Sequence, residues 1–120
     1  MVQIRLILPF PESKLNPNKR LHWAEKHKIK SSQHQIGYLE ALPHKGKMGG
    51  GRIKMELLFV PPDNRPRDID NLLASCKELI DGIAQGLGVN DKQFRPIVID
   101  MGEKNALHSR VEIIFSQNWK

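Results

Sequence analysis

The sequence predicts an α+β fold, a small mixed β-sheet with two helices in the order β-α-β-α-β-β, in one domain spanning residues 1–120. Three observations carry this expectation. Four short stretches alternate apolar and polar residues with the period of a strand, two longer ones repeat apolar residues at helical steps, and proline- or glycine-rich segments separate them. A chain of 120 residues is the size of one hydrophobic core, so any active site must share the surface that binds the substrate.

The first strand runs from Val2 to Leu8, with Val2, Ile4, Leu6 and Leu8 set against Gln3 and Arg5, and stops at Pro9. Prolines at 9, 11 and 17 with Ser13, Asn16 and Asn18 then predict an ordered loop. From Leu21 to about Leu42 no proline intervenes, and Trp23, Ile29, Ile36, Tyr38, Leu39 and Leu42 recur loosely among lysines, which predicts a basic, moderately amphipathic helix. Residues 43–51 (PHKGKMGGG) read as a flexible connector and do not match a P-loop. Arg52 to Val60 alternates again and ends at Pro61-Pro62, which cannot continue a ladder. From Asp70 to about Gln85, Leu72, Leu73, Cys76, Leu79, Ile80 and Ile83 give the strongest helical pattern, with Asp68 or Asp70 as cap and Gly86/Gly88 as stop. Phe94 to Met101 and Arg110 to Phe115 are expected to pair like a hairpin, and the tail from Ser116 to be loosely held.

The charge is uneven. Lys plus Arg number 19 against 13 Asp plus Glu, a net +6, which points to a polyanionic partner. Residues 1–54 hold 11 basic and 3 acidic residues (+8), whereas residues 55–120 hold 8 and 10 (−2). A polyanion grip beside a group of carboxylates fits that division. No stretch approaches the ~18 apolar residues of a membrane span, and the start lacks a signal-peptide pattern, so no membrane partner and a cytoplasmic location are expected. The single cysteine, Cys76, excludes an internal disulfide and a multi-cysteine zinc site, and its place on the apolar helix face predicts a core residue.

The chemistry concentrates in PPDNRPRDIDNLLASCKELIDG, residues 61–82. Asp68 and Asp70 stand two apart in a stretch expected to be extended, where alternate side chains point the same way and two carboxylates can approach one hard cation. Asp91, in VNDK, offers a third oxygen ligand, and three carboxylates suit Mg²⁺. Asp70, Ala74, Lys77 and Asp81 follow steps of 4, 3 and 4, one stripe of a continuous helix. Arg65 and Arg67 just upstream would bring phosphate to the carboxylates. By composition alone the same residues also read as caps (Asp68, Asp70), turn formers (Asn90, Asp91) and a solvated lysine (Lys77).

The first strand followed by LPFPESKLNPNKRLHW, then RPRDIDNLL, then Lys77-x-Leu79-x-Asp81 and VNDKQF, together resemble the RusA-like Holliday junction resolvases, small metal-dependent endonucleases found largely in bacteriophages and prophages. The resemblance covers nearly the whole chain. It implies a homodimer that binds four-way junction DNA in recombination and repair and cuts two strands symmetrically with Mg²⁺. Carried over by motif, Asp68, Asp70 and Asp91 are the catalytic, metal-binding carboxylates and Asn71 supports them. The family's lysine follows the second aspartate by four residues, which here is Ala74, so the expected catalytic lysine is Lys77, seven on. Where the family often has two adjacent acidic residues, this chain has Asn90-Asp91.

The expected DNA grip is Lys19, Arg20, His22, Lys26, Lys28 and Lys30, with Arg65 and Arg67. Trp23 is expected to anchor the helix in the core, with stacking on an exposed base as the other reading. His22, His27 and His34 form no recognisable zinc spacing. The expectation is therefore a Mg²⁺-dependent crossover junction endodeoxyribonuclease. A non-catalytic basic nucleic-acid-binding module and a nuclease for other branched DNA are the alternatives.

Overall fold

The structure, a computed structural model, describes residues 1–11 and 22–118. The expected loop beyond Pro11, together with Lys19 and Arg20, lies outside the described residues. Alternation produces four strands: β1 (Val2–Pro9), β2 (Ile53–Val60), β3 (Phe94–Met101) and β4 (Arg110–Gln117). The helical stretches produce α1 (Trp23–Ala41), α2 (Ile69–Ser75) and α3 (Lys77–Leu87). The result is an α+β fold with a small mixed four-stranded sheet and three helices.

The strand order is β1-β4-β2-β3, with β4 antiparallel to both β1 and β2 and β3 parallel to β2. This corrects the expected hairpin: β3 and β4 are not neighbours. Burial explains the order. Val111, Ile113 and Phe115 of β4 are fully buried, which demands a central position, whereas Arg95 to Val98 of β3 are exposed and belong at an edge. A parallel β2–β3 pair needs a crossover, and α2 with α3 supplies it. β4 also runs two residues further than expected. Gln117 is buried and exchanges hydrogen bonds with the backbone at Gly49 (2.9 and 3.0 Å), so the chain is held past Ser116.

The connector after α1 is likewise tied down rather than flexible. Leu42–His44 form a 3-10 turn, Met48 is buried, and the amides of Gln93 and Gln117 donate to the carbonyls of Gly49, Gly50 and Gly51 at 2.9 to 3.1 Å.

The core lies between one sheet face and the helices. Ile4, Leu6, Leu8, Ile53, Met55, Leu57, Phe59, Val111, Ile113 and Phe115 meet Leu72, Cys76, Leu79, Ile83 and Leu87. Cys76 is core, as expected, and burial pushes its thiol up to about 12, which leaves it an inert thiol at neutral pH.

The expected single helix from 70 to 85 is broken at Cys76, whose φ of −91° and ψ of 2° leave the helical region. Just before the break the Ser75 hydroxyl donates to the Asn71 carbonyl at 2.8 Å, a contact that bends helices. Gly88, with φ 76°, ends α3; Gly86 lies inside it, not at its end.

Helices α1 and α3 pass backbone to backbone. A Cβ on Gly82 would stand 2.0 Å from the His34 carbonyl oxygen. His34 adjoins Gly82 and Ala41 adjoins Gly86, so the two helices run in the same sense. At about 1.5 Å per residue, the first turns of α1 reach past the start of α3.

Candidate functional site

The segment between β2 and α2 leaves the sheet through Pro61-Pro62 and is extended as far as Asp68, the N-cap position of α2. Asp68 does not cap the helix with its side chain. It accepts instead from the Asn71 amide at 3.3 Å. Asp70 sits exposed in the first turn of α2. The alternative reading of Asp68 as a side-chain cap is thereby removed, and its carboxylate is open to another ligand.

Two clefts flank α2. The first, of about 650 Å³, is lined by Phe10, Pro62, Arg65, Arg67, Asp68 and Asn71, among others. The second, of about 300 Å³, is lined by Ala74, Lys77, Asp81 and Asp91 over an apolar floor that includes Met55, Ile80 and Ile97. The structure thus brings Lys77 and Asp91 together, 14 positions apart in sequence, and places Ala74 beside them. Ala74, Lys77 and Asp81 line the second cleft together, while Asp70, four residues before Ala74 on α2, is in the lining of neither.

Lys77 donates to Asp81 at 3.2 Å. That bond raises its pKa first, and the neighbouring charges of Glu78 and Asp91 raise it further, so the ammonium stays charged at neutral pH. A permanently charged lysine does not take protons from water; it stabilises negative charge. Asp91 opens a 3-10 turn (Asp91–Gln93) whose cap is Asn90, accepting from Lys92 N at 2.9 Å while Gln93 bonds back to the Asn90 N–H. Asn90 is the turn former and Asp91 is exposed beside the cleft.

Oxygen donors of this kind suit a hard cation. Among the described residues, however, no group of three or more His, Cys, Asp or Glu side chains stands close enough to hold a metal ion. Asp68 and Asp91 line different clefts. The donor chemistry fits Mg²⁺, while the three-carboxylate cage expected from the sequence is not assembled within one chain.

The arginines are not free. Asp63, which the sequence reading passed over, binds both Arg65 (3.0 Å) and Arg67 (2.9 Å), and Arg67 also lies 5.3 Å over the Phe10 ring. The Arg65 guanidinium holds the Asp63 carboxyl well below the usual carboxylate range. The spacing Asp63-x-Arg65 is the available signal, since an aspartate side chain readily accepts from the backbone two residues on and holds a turn there.

The basic helix corrects two expectations. Trp23 is 76% exposed, stacked on His22 at 6.0 Å, so it does not anchor the core. His22 caps α1, accepting from Ala24 N at 3.3 Å. Lys26 and Lys30 are half-buried on one stripe, while Lys28 is exposed about 200° around the helix, so the three lysines do not form one phosphate-binding face. His34 bonds Gln85 at 2.7 Å and His44 bonds Lys47 at 3.1 Å. No helix among the described residues is long and apolar enough to cross a membrane.

No family model matches the chain. It is similar to an uncharacterized protein of Xylella fastidiosa (strain Temecula1 / ATCC 700964), 36% identical over 104 residues. The alignment takes in 79% of this chain and 66% of that protein, so the chain spans slightly less than two thirds of its relative.

Proposed function

We propose that the protein is a RusA-like, Mg²⁺-dependent endodeoxyribonuclease of the cytoplasm that resolves four-way DNA junctions as a homodimer. The observation that carries the reading is the second cleft: a lysine charged at neutral pH, Lys77, and a carboxylate from a separate loop, Asp91, converge beside the helix that follows Asp68 and Asp70. In this reading Asp68, Asp70 and Asp91, which are not gathered as one group in the described chain, would be the oxygen ligands of a Mg²⁺ that would supply a nucleophilic hydroxide and charge stabilisation at the leaving oxygen. Lys77 holds positive charge where the phosphoryl oxygens gain negative charge in the transition state. Asn71 keeps the Asp68 carboxylate oriented. A two-fold junction presents two equivalent scissile bonds and each chain offers one site, which is the argument for a pair of chains.

The test is cleavage of an immobile synthetic four-way junction against linear duplex, with Mg²⁺ or EDTA, for wild type and Asp70→Asn. Wild type should cut the junction only with Mg²⁺, and the variant should bind without cutting. Junctions left intact by wild type in Mg²⁺ overturn the reading.

A second reading is favoured by one observation: the carboxylates are not gathered as a three-ligand group. It is a basic nucleic-acid-binding protein without catalysis. Metal-independent binding with no cleavage of junctions, flaps or other branched DNA would establish it.

A further inference from the structure

We propose that Asp63 is a specificity-determining positioning residue, whose carboxylate fixes Arg65 at the mouth of the Asp68 cleft so that a phosphate is engaged only when delivered in register with Asp68. This rests on the junction-nuclease reading and deepens it. An ionised carboxylate has about four acceptor sites. Asp63 fills them: Oδ1 accepts from Arg65 N (3.0 Å) and Arg67 Nη2 (2.9 Å), and Oδ2 from Arg65 Nε (3.1 Å) and Nη2 (3.0 Å). Arg67 is closed in further, its Nη1 donating to the carbonyls of Asp63 (3.1 Å) and Arg65 (3.2 Å) while its plane covers Phe10.

The two arginines therefore differ. The Arg67 side chain is 18% exposed and forms a wall of the cleft, whereas that of Arg65 is 81% exposed and keeps Nη1 outside the clasp. Affinity alone does not account for such a carboxylate, because it subtracts one positive charge from a surface that must attract DNA. What it provides is geometry. An unrestrained arginine reaches a phosphate on any duplex, and a guanidinium held on two of its nitrogens offers the rest in one direction. The depressed pKa of Asp63 means that the clasp stays ionised at any pH suited to DNA binding.

The experiment measures dissociation constants of the full chain for a four-way junction and for linear duplex across a salt series, with junction-cleavage kinetics, in wild type, Asp63→Asn, Arg65→Gln and the double variant. In Asp63→Asn, duplex affinity should hold or rise, while the junction-to-duplex preference falls roughly 2- to 5-fold, the scale of an exposed ion pair. KM should rise without a matching fall in kcat. On the Arg65→Gln background Asp63→Asn should add much less than it does alone, leaving only what the Arg67 contact contributes, because Asp63 acts mainly through Arg65. Should Asp63→Asn fold poorly, Asp63→Glu keeps the charge and moves it, and must show the same lost preference with an unchanged salt slope. An unchanged preference in Asp63→Asn, or an equal loss on the Arg65→Gln background, overturns the proposal. Wild type that neither prefers nor cuts junctions is a separate result, which removes the nuclease reading and the positioning role with it.

Discussion

Lys77 occupies a place that spacing alone puts in question, seven residues after Asp70, with Ala74 at the four-residue step. The side chains of Ala74 and Lys77 line one cleft, so a lysine from either position reaches the same space. Asp81 raises the Lys77 pKa above that of an ordinary lysine, ~10.4, and Asp91 adds to the shift. On the alkaline side its ion pair is therefore kept through neutral pH and is lost as pH rises through the raised value. Lys77→Gln should lower single-turnover junction cleavage by roughly 10²- to 10³-fold, the scale of losing one preorganised transition-state donor, with junction binding little changed. Adding Ala74→Lys to that variant should restore part of the rate. Binding lost in step with cleavage would place Lys77 in the DNA grip instead. At this scale motif spacing singles out Asp68, Asn71, Lys77 and Asp91, of which Lys77 and Asp91 line one cleft and Asp68 and Asn71 the other. Trp23 was misread for the opposite reason: a large aromatic at helical spacing reads as core, and only the overhang of α1 past α3 shows that the core ends before it.

Helix packing and strand pairing respond to different residues. The α1–α3 contact depends on Gly82, where a Cβ would meet the His34 carbonyl oxygen at 2.0 Å and the Tyr38 N at 3.0 Å, both backbone. Neither atom can turn aside, so Gly82→Ala should separate the helices and destabilise the fold by about 1–3 kcal/mol despite alanine's better helix propensity, read by urea unfolding. On the sheet, Glu112 of β4 is buried between Arg5 of β1 and Arg110, which donates at 2.8 Å. Arg5 first and Arg110 second hold its carboxyl below the ordinary range. A depressed folded pKa gives stability that is present above the unfolded value, ~4.3, and is lost as pH falls through the folded one. Glu112→Gln should therefore destabilise at pH 7 and flatten the acid limb of a stability-against-pH curve; an unchanged acid limb would show that the pair contributes nothing. Strand type and approximate position were readable from period and punctuation, which is why each of the four strands appears where alternation placed it, with β4 two residues longer. Partnership was not. Alternation says that a strand has a buried face but not whose neighbour it is, so β4 was expected beside β3 when its burial takes it between β1 and β2. The break at Cys76 was equally hidden, because the apolar spacing of Leu72, Cys76, Leu79 and Ile83 runs through it unaltered.

For the molecule as a whole, the two halves of the charge are the main constraint on how it would meet DNA under the proposed function. The +8 half supplies attraction, yet Lys26 and Lys30 face away from Lys28, so α1 presents charge on two sides rather than as one track. The −2 half places Asp68, Asp70, Asp81 and Asp91 around α2 and α3, where a phosphate must approach for the proposed chemistry. Without a divalent cation those carboxylates repel the phosphate that the basic half attracts, and a bound cation reverses the local sign. Junction affinity itself, and not only cleavage, should then depend on Mg²⁺. In EDTA, Asp70→Asn should bind the junction several-fold more tightly than wild type, because one repelling charge is gone. In Mg²⁺ at matched ionic strength the difference should close or reverse, since wild type gains a cation that the variant holds poorly. Filter binding at low temperature, before cleavage accumulates, measures both arms. Equal affinities of the two proteins in EDTA would mean that the phosphate does not pass close to Asp70, and would move the site of chemistry away from α2.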